Sequence, residues 1–307
     1  MTNKTLVSVG SNKLALTNLD KVLWPSDGIT KGDLVQYFAE IAPYMLPYLA
    51  DRPLVFTRFP DGILSKAFYQ KEGPRPTPDW VRTHPVFHKD AGRTVHYILA
   101  GEPATLVWLA NLACLEIHPW LSSVTSLDNP DFAAFDLDPA EGASFADVKV
   151  IARLVKQVLD SFGLQGFLKT TGATGLHVFV PVLPEWSYDE VQAAVEFVAR
   201  MVVSAYPDKA TVERRVASRT GKVYIDYLQN IKGKTLVSVF SPRPRPGAPV
   251  SFPVAWNNLD GTDPGRFTIK TALEIIRQAG DPFSGCLRLK QDLSPLLRAA
   301  RGPAQVH

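Results

Sequence analysis

Cysteine is scarce: Cys114 and Cys286 are the only two in 307 residues, and they lie far apart in apolar surroundings. That excludes a disulfide-stapled scaffold and a cysteine-based zinc site, and it points to a reducing, cytoplasmic setting. No stretch approaches the ~18 consecutive apolar residues of a membrane-spanning helix. The opening segment MTNKTLVSVGSNK carries no long apolar run either, which argues against an export signal. Internal repeats are absent. A large excess of one charge sign is absent too: 33 Lys and Arg against 30 Asp and Glu leave +3 at pH 7, too little to mark a polyanion binder by bulk charge.

What is present suits a folded enzyme. Apolar residues make up 46%, including 16 Phe, 9 Tyr and 6 Trp, and charged residues only 21%, so the chain can bury a sizeable core. Charge is unevenly placed. Lys209, Arg214, Arg215, Arg219, Lys222, Lys232, Lys234, Arg243 and Arg245 fall in one window that holds just two acids, Glu213 and Asp226. Such a run is a solvated face or the footprint of a bound polyanion. Prolines gather in GPRPTP and SPRPRPG, which read as stiff connections.

The segment DFAAFDLDP carries the most information. An apolar strand from Phe132 to Phe135 runs into Asp136 and Asp138, and Pro139 stops it. Strand side chains alternate faces, so the two acids emerge side by side. Like charges that close repel unless a cation sits between them, and a divalent ion holding phosphate oxygens is one resident. A polar turn at Pro139 is the other reading.

After Asp138 the periodicity is orderly. Ile151, Leu154, Val155, Val158 and Leu159 form an amphipathic helical stripe. FLKTTG and HVFVPV read as strands around a glycine-containing turn. Ser187 and Glu190 form a capping box opening a helix with Val191, Val195, Val198 and Val202 on one face. VYIDYL and TLVSVF are expected to be two further strands joined around Lys232-Gly233-Lys234. From Phe132 to Leu228 the order is βαββαβ, the split ferredoxin-like arrangement. In that topology Asp226 on the fourth strand approaches Asp136 and Asp138 on the first, and His177 opens the third strand on the first strand's other side. Three carboxylates are thus expected to converge as a two-metal site.

The fold class is α/β (α+β), read as one compact catalytic domain over about residues 1–300. It comprises an N-terminal αβ subdomain (about 1–130), a ferredoxin-like or RRM-like core (about 131–245) and a C-terminal extension (about 246–300). In the first part a helix is expected from about Lys31 to Ala42, capped by Thr30, with Leu34, Tyr37, Phe38 and Ile41 inward. PATLVWLANLACLEIHPW reads as a buried helix feeding a strand that carries His118.

Several residues can carry chemistry, each with a bland alternative. In TTGATGLH, Gly172 and Gly175 free the backbone for close approach, while Thr171, Thr174 and His177 offer donors to a phosphate; a plain hairpin is the alternative. His118 is a ligand or a hydrogen-bonded core histidine. Arg243 and Arg245, separated by Pro244, share a face if the segment is extended and can then clamp a triphosphate. Phe68 and Tyr69 are core or a stacking platform for bases. Lys21 and Lys31 flank VLWPSDGIT and are either solvated or grip a terminal phosphate.

Taken together, DLD (136–138), TGATGLH (171–177, read from Thr171) and IDYLQN (225–230) resemble the three motifs of the archaeo-eukaryotic primase superfamily, most closely its LigD-type polymerase domains. The likeness extends through LTNLDKVLWP, FYQKEG, LEIHPW and SPRPRPGAPVSFPVAW. It implies a primase-polymerase fold and a DNA-directed nucleotidyltransferase that fills gaps and extends ends with NTPs or dNTPs in non-homologous end joining. It also implies two Mn²⁺ or Mg²⁺ ions on Asp136, Asp138 and Asp226, and nucleotide contacts from His118, Thr171, His177, Gln229, Arg243 and Arg245. Lys21 and Lys31 resemble a pair gripping the 5′-phosphate across a gap, Phe68 and Tyr69 a template-stacking pair, and Arg219 a basic residue on a loop reaching toward primer and metal. The family pattern Ser-Gly-x-Lys-Gly-x-His reads here with Thr171 for the serine and Thr174 for the lysine. The second change removes a charge, so nucleotide affinity is expected to be weaker or supported by Lys234 and the arginines. Ku and a separate DNA ligase are the expected partners, and the nucleoid the expected place of work. Two other readings stand beside this one: an Asp-x-Asp nucleotide-sugar transferase, and a non-catalytic module binding DNA ends.

Overall fold

The structure, a computed structural model, describes residues 4–301. It divides into two units. One takes in the chain up to Thr125 with Thr235–Phe252 and Pro264–Asp281; the other comprises Ser126–Lys234, Pro253–Asp263 and the chain from Pro282 onward. Among the described residues no helix is long and apolar enough to cross a membrane.

In the first unit a helix starts at the expected cap. Thr30 accepts from Asp33 N, and the Asp33 carboxylate accepts from Thr30 N, so two orphan donors of the first turn are satisfied. The helix runs over Lys31–Leu49 and passes the expected end at Ala42, through Pro43 and Pro47. An internal proline costs about 3 kcal/mol, but the inward stripe continues with Met45, Tyr48 and Leu49, all buried, and offsets it. Pro103–Asn111 is a buried helix, and Ala113, at φ 54°, reverses the chain into the strand Cys114–Pro119. That strand pairs with Leu54–Arg58, setting Glu116 opposite Thr57 and His118 opposite Val55. On its other side Leu54–Arg58 pairs with the edge strand Phe68–Gln70.

TLVSVF does not form the expected strand. Thr235 makes an isolated bridge to Trp120, and Ser238 N donates to the Ile117 carbonyl. Phe240 then takes a left-handed φ of 64°, which ends any extended pairing. The apolar residues that suggested a strand are buried in irregular backbone of the first unit.

The second unit holds the expected βαββαβ order. Its elements are β1 (Phe132–Pro139), α1 (Phe145–Ser161), β2 (Phe167–Thr170), β3 (Leu176–Pro181), α2 (Tyr188–Ala205) and β4 (Val223–Asp226). The strands lie side by side as β4–β1–β3–β2, all antiparallel, with Ala210–Thr211 and Pro253–Val254 adding short edges. Capping boxes at Ser144/Asp147 and Ser187/Glu190 start the two helices. Register sorts the faces. Ala133, Phe135 and Leu137 oppose Val180, Val178 and Leu176, and Ile225 opposes Leu137; all are buried and make one apolar face. The polar residues of the DLD strand are therefore delivered to the other face.

β1 is twice the length of β4, which covers it only from Asp136 on. Asn230 completes the pairing. Its side-chain oxygen accepts from Ala134 N at 2.8 Å, and its amide nitrogen donates to Ala134 O at 2.7 Å. This fully buried amide stands in for a strand residue and holds the root of the DLD segment.

Candidate active site

Four polar residues form one row across four strands. Lys169 on β2 is the register partner of His177 on β3, His177 of Asp136 on β1, and Asp136 of Asp226 on β4. Direct partners in a sheet project to the same face. The row is bonded: Lys169 Nζ lies 2.7 Å from His177 Nδ1, and His177 Nε2 lies 3.1 Å from Asp136 Oδ1. Lys169, His177 and Asp136 are 1%, 3% and 7% exposed. Burying a charge costs several kcal/mol unless it is paired, and here cation and anion are linked through one imidazole.

At the other end, Asp226 closes its strand and caps the single 3₁₀ turn Tyr227–Asn230. Its Oδ1 accepts from Leu228 N at 3.0 Å and from the Tyr224 hydroxyl at 3.1 Å, and its Oδ2 from Gln229 Nε2 at 2.9 Å. Burial, reinforced by Asp226, pushes the Tyr224 phenol up to about 12, so it remains a donor at neutral pH. Arg219 sits over Tyr224, its guanidinium carbon 3.4 Å from the ring centroid, while donating to the Glu213 and Arg214 carbonyls. Asp138, Arg219 and Tyr224 line a cavity of about 200 Å³.

The sheet thus brings Asp136, Asp138 and Asp226 to one face, as expected. It does not gather them further: among the described residues no three His, Cys, Asp or Glu side chains are drawn to metal-ligand spacing. Ionised carboxylates repel at short range, and Asp226 is turned onto Tyr224, Leu228 and Gln229 while Asp136 meets His177. The donor set nevertheless fits a hard divalent ion, because all three groups are carboxylates on directly paired strands.

The TTGATG turn wraps around Thr171. Its hydroxyl accepts from Ala173 N at 3.1 Å and from Gly175 N at 3.2 Å, so its first task is to shape the turn. Gly172 takes φ 69°, which favours glycine. Thr174 is exposed at the tip, and Lys234 is exposed beyond β4.

In the first unit, Glu116 gathers two of the expected nucleotide ligands. Its Oε1 accepts from Arg243 Nε at 2.8 Å, and its Oε2 lies 3.8 Å from His118 Nε2, which has no hydrogen-bond partner among the described residues. Burial works to raise the Glu116 pKa, but His118 and Arg243 outweigh it and hold the carboxyl below its ordinary value. The SPRPRPG segment is not extended. Arg245 N donates to Arg243 O at 2.8 Å across Pro244, so the tight turn leaves Arg245 exposed while Arg243 is half-buried on Glu116. The two arginines do not form the paired fork expected of an extended segment.

Lys31 is buried, donating to Asn111 O at 3.0 Å, and its backbone N donates to Lys21 O. Burial, and after it the nearby Lys21, push the Lys31 ammonium down to about 8. Lys21 itself is held by Asp61 at 2.6 Å. Phe68 and Tyr69 are 45% and 59% exposed on the edge strand, so they are not core.

Lys169, Glu116, Tyr224 and Asn230 escaped sequence reasoning. A lysine inside the apolar strand FLKTTG was the one legible sign among them, since a charge there must find a partner.

Comparison with known proteins agrees with this architecture. LigD of Bacillus subtilis (strain 168), a bifunctional non-homologous end joining protein, is 33% identical over 282 residues, covering 91% of this chain and 45% of its own. The multifunctional LigD of Mycobacterium tuberculosis (strain ATCC 25618 / H37Rv) is also 33% identical, covering 89% and 37%. The chain therefore spans less than half the length of these relatives. A structure of the polymerase domain of Mycobacterium tuberculosis Ligase D in complex with DNA superposes with TM-score 0.82 at 31% identity, over 91% of this chain and 99% of that one. The family model for the LigD primase-polymerase domain matches residues 30–283. On sequence and on fold alike, this chain belongs to the LigD primase-polymerase domain family.

Proposed function

We propose that the chain is a DNA-directed nucleotidyltransferase, a primase-polymerase that fills gaps and extends broken ends during end joining. The observation that carries this reading is the register that sets Asp226 opposite Asp136, with Asp138 on the same face. We assign Asp136, Asp138 and Asp226 as ligands for two Mg²⁺ or Mn²⁺ ions. Such ions, when bound, offset charge on the attacking 3′-oxygen and the leaving pyrophosphate. The chain's own residues bind and orient. Thr171, Thr174, Gln229 and Lys234 are assigned to the incoming nucleotide, supported by the nearness of Gln229 to Asp226, and His177 is assigned to it by way of Asp136, since its two ring nitrogens face Lys169 and Asp136. His118, Arg243 and Arg245 are assigned to the nucleotide as well, with Glu116 holding Arg243 and lying 3.8 Å from His118 Nε2. Lys21 and Lys31 are assigned to a 5′-phosphate, Phe68 and Tyr69 to stacking on template bases, and Arg219 to the primer side of the carboxylates. Ku and a DNA ligase are the proposed partners, at the nucleoid.

A nucleotide-sugar transferase gives no reason for Asp226 opposite Asp136. The deciding experiment is primer extension on a gapped duplex with Mn²⁺, comparing rNTPs with dNTPs. Asp136→Ala and Asp226→Ala are each expected to abolish incorporation while DNA is still bound. Full extension by either variant overturns the assignment.

A further inference from the structure

Lys169 has no part in the chemistry described so far, yet it is a 1% exposed lysine on β2, between β3 and the short edge Pro253–Val254. Its surroundings explain how it is tolerated and suggest what it does. An ammonium group has three donors and no acceptor. With Lys169 protonated, His177 Nδ1, 2.7 Å away, is the acceptor in that contact. An imidazolium in that place would set an N–H against the ammonium. A neutral imidazole that accepts at Nδ1 carries its proton on Nε2, and Nε2 faces Asp136 Oδ1 at 3.1 Å. The Phe179 ring, whose centroid lies 5.6 Å from Lys169 Nζ and 6.1 Å from the His177 ring, packs against both members of the pair. None of this depends on a flexible loop: the three residues are successive register partners in regular strands.

We propose that Lys169 is a positioning residue: it fixes His177 in the Nε2–H tautomer and turns that N–H onto Asp136, so that the carboxylate opposite Asp226 is held in one orientation. The relation is that of an outer-shell partner to a first ligand, in which the outer group sets the tautomer of a histidine and the histidine sets the direction of an acid. The consequence for catalysis rests on the polymerase reading above. The consequence for His177 does not.

The test uses the full chain and three readouts. Nitrogen-15 NMR of the ring nitrogens in metal-free protein at neutral pH should show His177 as Nε2–H in the wild type. Lys169→Met should let the Nδ1–H form appear. Mn²⁺ titration without DNA, followed by electron paramagnetic resonance, should show binding about tenfold weaker in Lys169→Met, the lower end of what outer-shell changes cause. In primer extension its kcat should fall by about tenfold or more, with the nucleotide KM within about threefold. Lys169→Arg, which keeps a cationic donor, should keep the Nε2–H form. A wild-type His177 that is Nδ1–H or doubly protonated overturns the proposal, whether or not any variant folds. So does a Lys169→Met protein that keeps both the Nε2–H tautomer and wild-type Mn²⁺ affinity. If the wild-type chain extends no primer, the polymerase reading falls while the NMR and Mn²⁺ measurements still judge Lys169.

Discussion

Gly175 approaches the Leu137 carbonyl so closely that a β-carbon on it would collide with the oxygen and would lie 3.0 Å from Asp138 Oδ1. The turn between β2 and β3 thus leans directly on the strand that carries the two acids, and glycine is what permits it. Gly175→Ala is expected to displace either the turn or the DLD strand. Overpacking of this kind costs about 1–3 kcal/mol. Thermal unfolding should register that loss, and incorporation should fall further than stability alone explains. A fully active, fully stable alanine variant would contradict the close approach.

Tyr224 tests how Asp226 is held. Tyr224→Phe removes one donor to Oδ1 but leaves Leu228 N, Gln229 Nε2 and the ring beneath Arg219. A lost hydrogen bond of this type costs about 1 kcal/mol. We expect a small drop in stability and a several-fold drop in kcat; unchanged kcat would show that Tyr224 does not orient Asp226.

Glu116 predicts a pH effect. Its carboxyl is held below the ordinary value of 4.5, so its contribution to stability is fully present above about pH 4.5 and is lost as pH falls through the lower folded value. Glu116→Gln should remove that acid-limb slope from the pH dependence of unfolding. It should also raise the nucleotide KM, because Arg243 keeps at most a neutral amide oxygen in place of the carboxylate that aims it. Identical acid limbs in wild type and variant would refute the first expectation, and an unchanged KM the second.

Lys31 predicts a second pH effect, of opposite sense. With its pKa lowered to about 8, the ammonium loses its proton as pH rises through that value. The advantage of a 5′-phosphorylated gap over an unphosphorylated one should therefore shrink between pH 7 and 9. Lys31→Met and Lys21→Ala should weaken binding of the phosphorylated gap alone. Asp61→Asn, which frees Lys21 from its carboxylate partner, should strengthen it. Equal loss on both substrates would remove these lysines from the phosphate site.

The amino-acid sequence determined whatever depends on short-range rules. Period-2 alternation put Asp136 and Asp138 on one face, the 3.6-residue stripe and the Ser187/Glu190 box marked the helices, and the order of elements selected the β4–β1–β3–β2 arrangement that sets Asp226 beside Asp136. These rules act over a few residues, and so they are legible without coordinates. The tertiary structure decided the rest. It carried the Lys31–Leu49 helix past two prolines, drew TLVSVF out of the sheet, turned Arg243 onto Glu116 and away from Arg245, and left the three carboxylates on one face without drawing them together. It also chose the partner of Lys169, which β2 buries. Burial and strand register are set by the whole core at once, and that is why FLKTTG shows that Lys169 needs a partner but not which one, and only the folded sheet makes it the first member of a row that ends at Asp226.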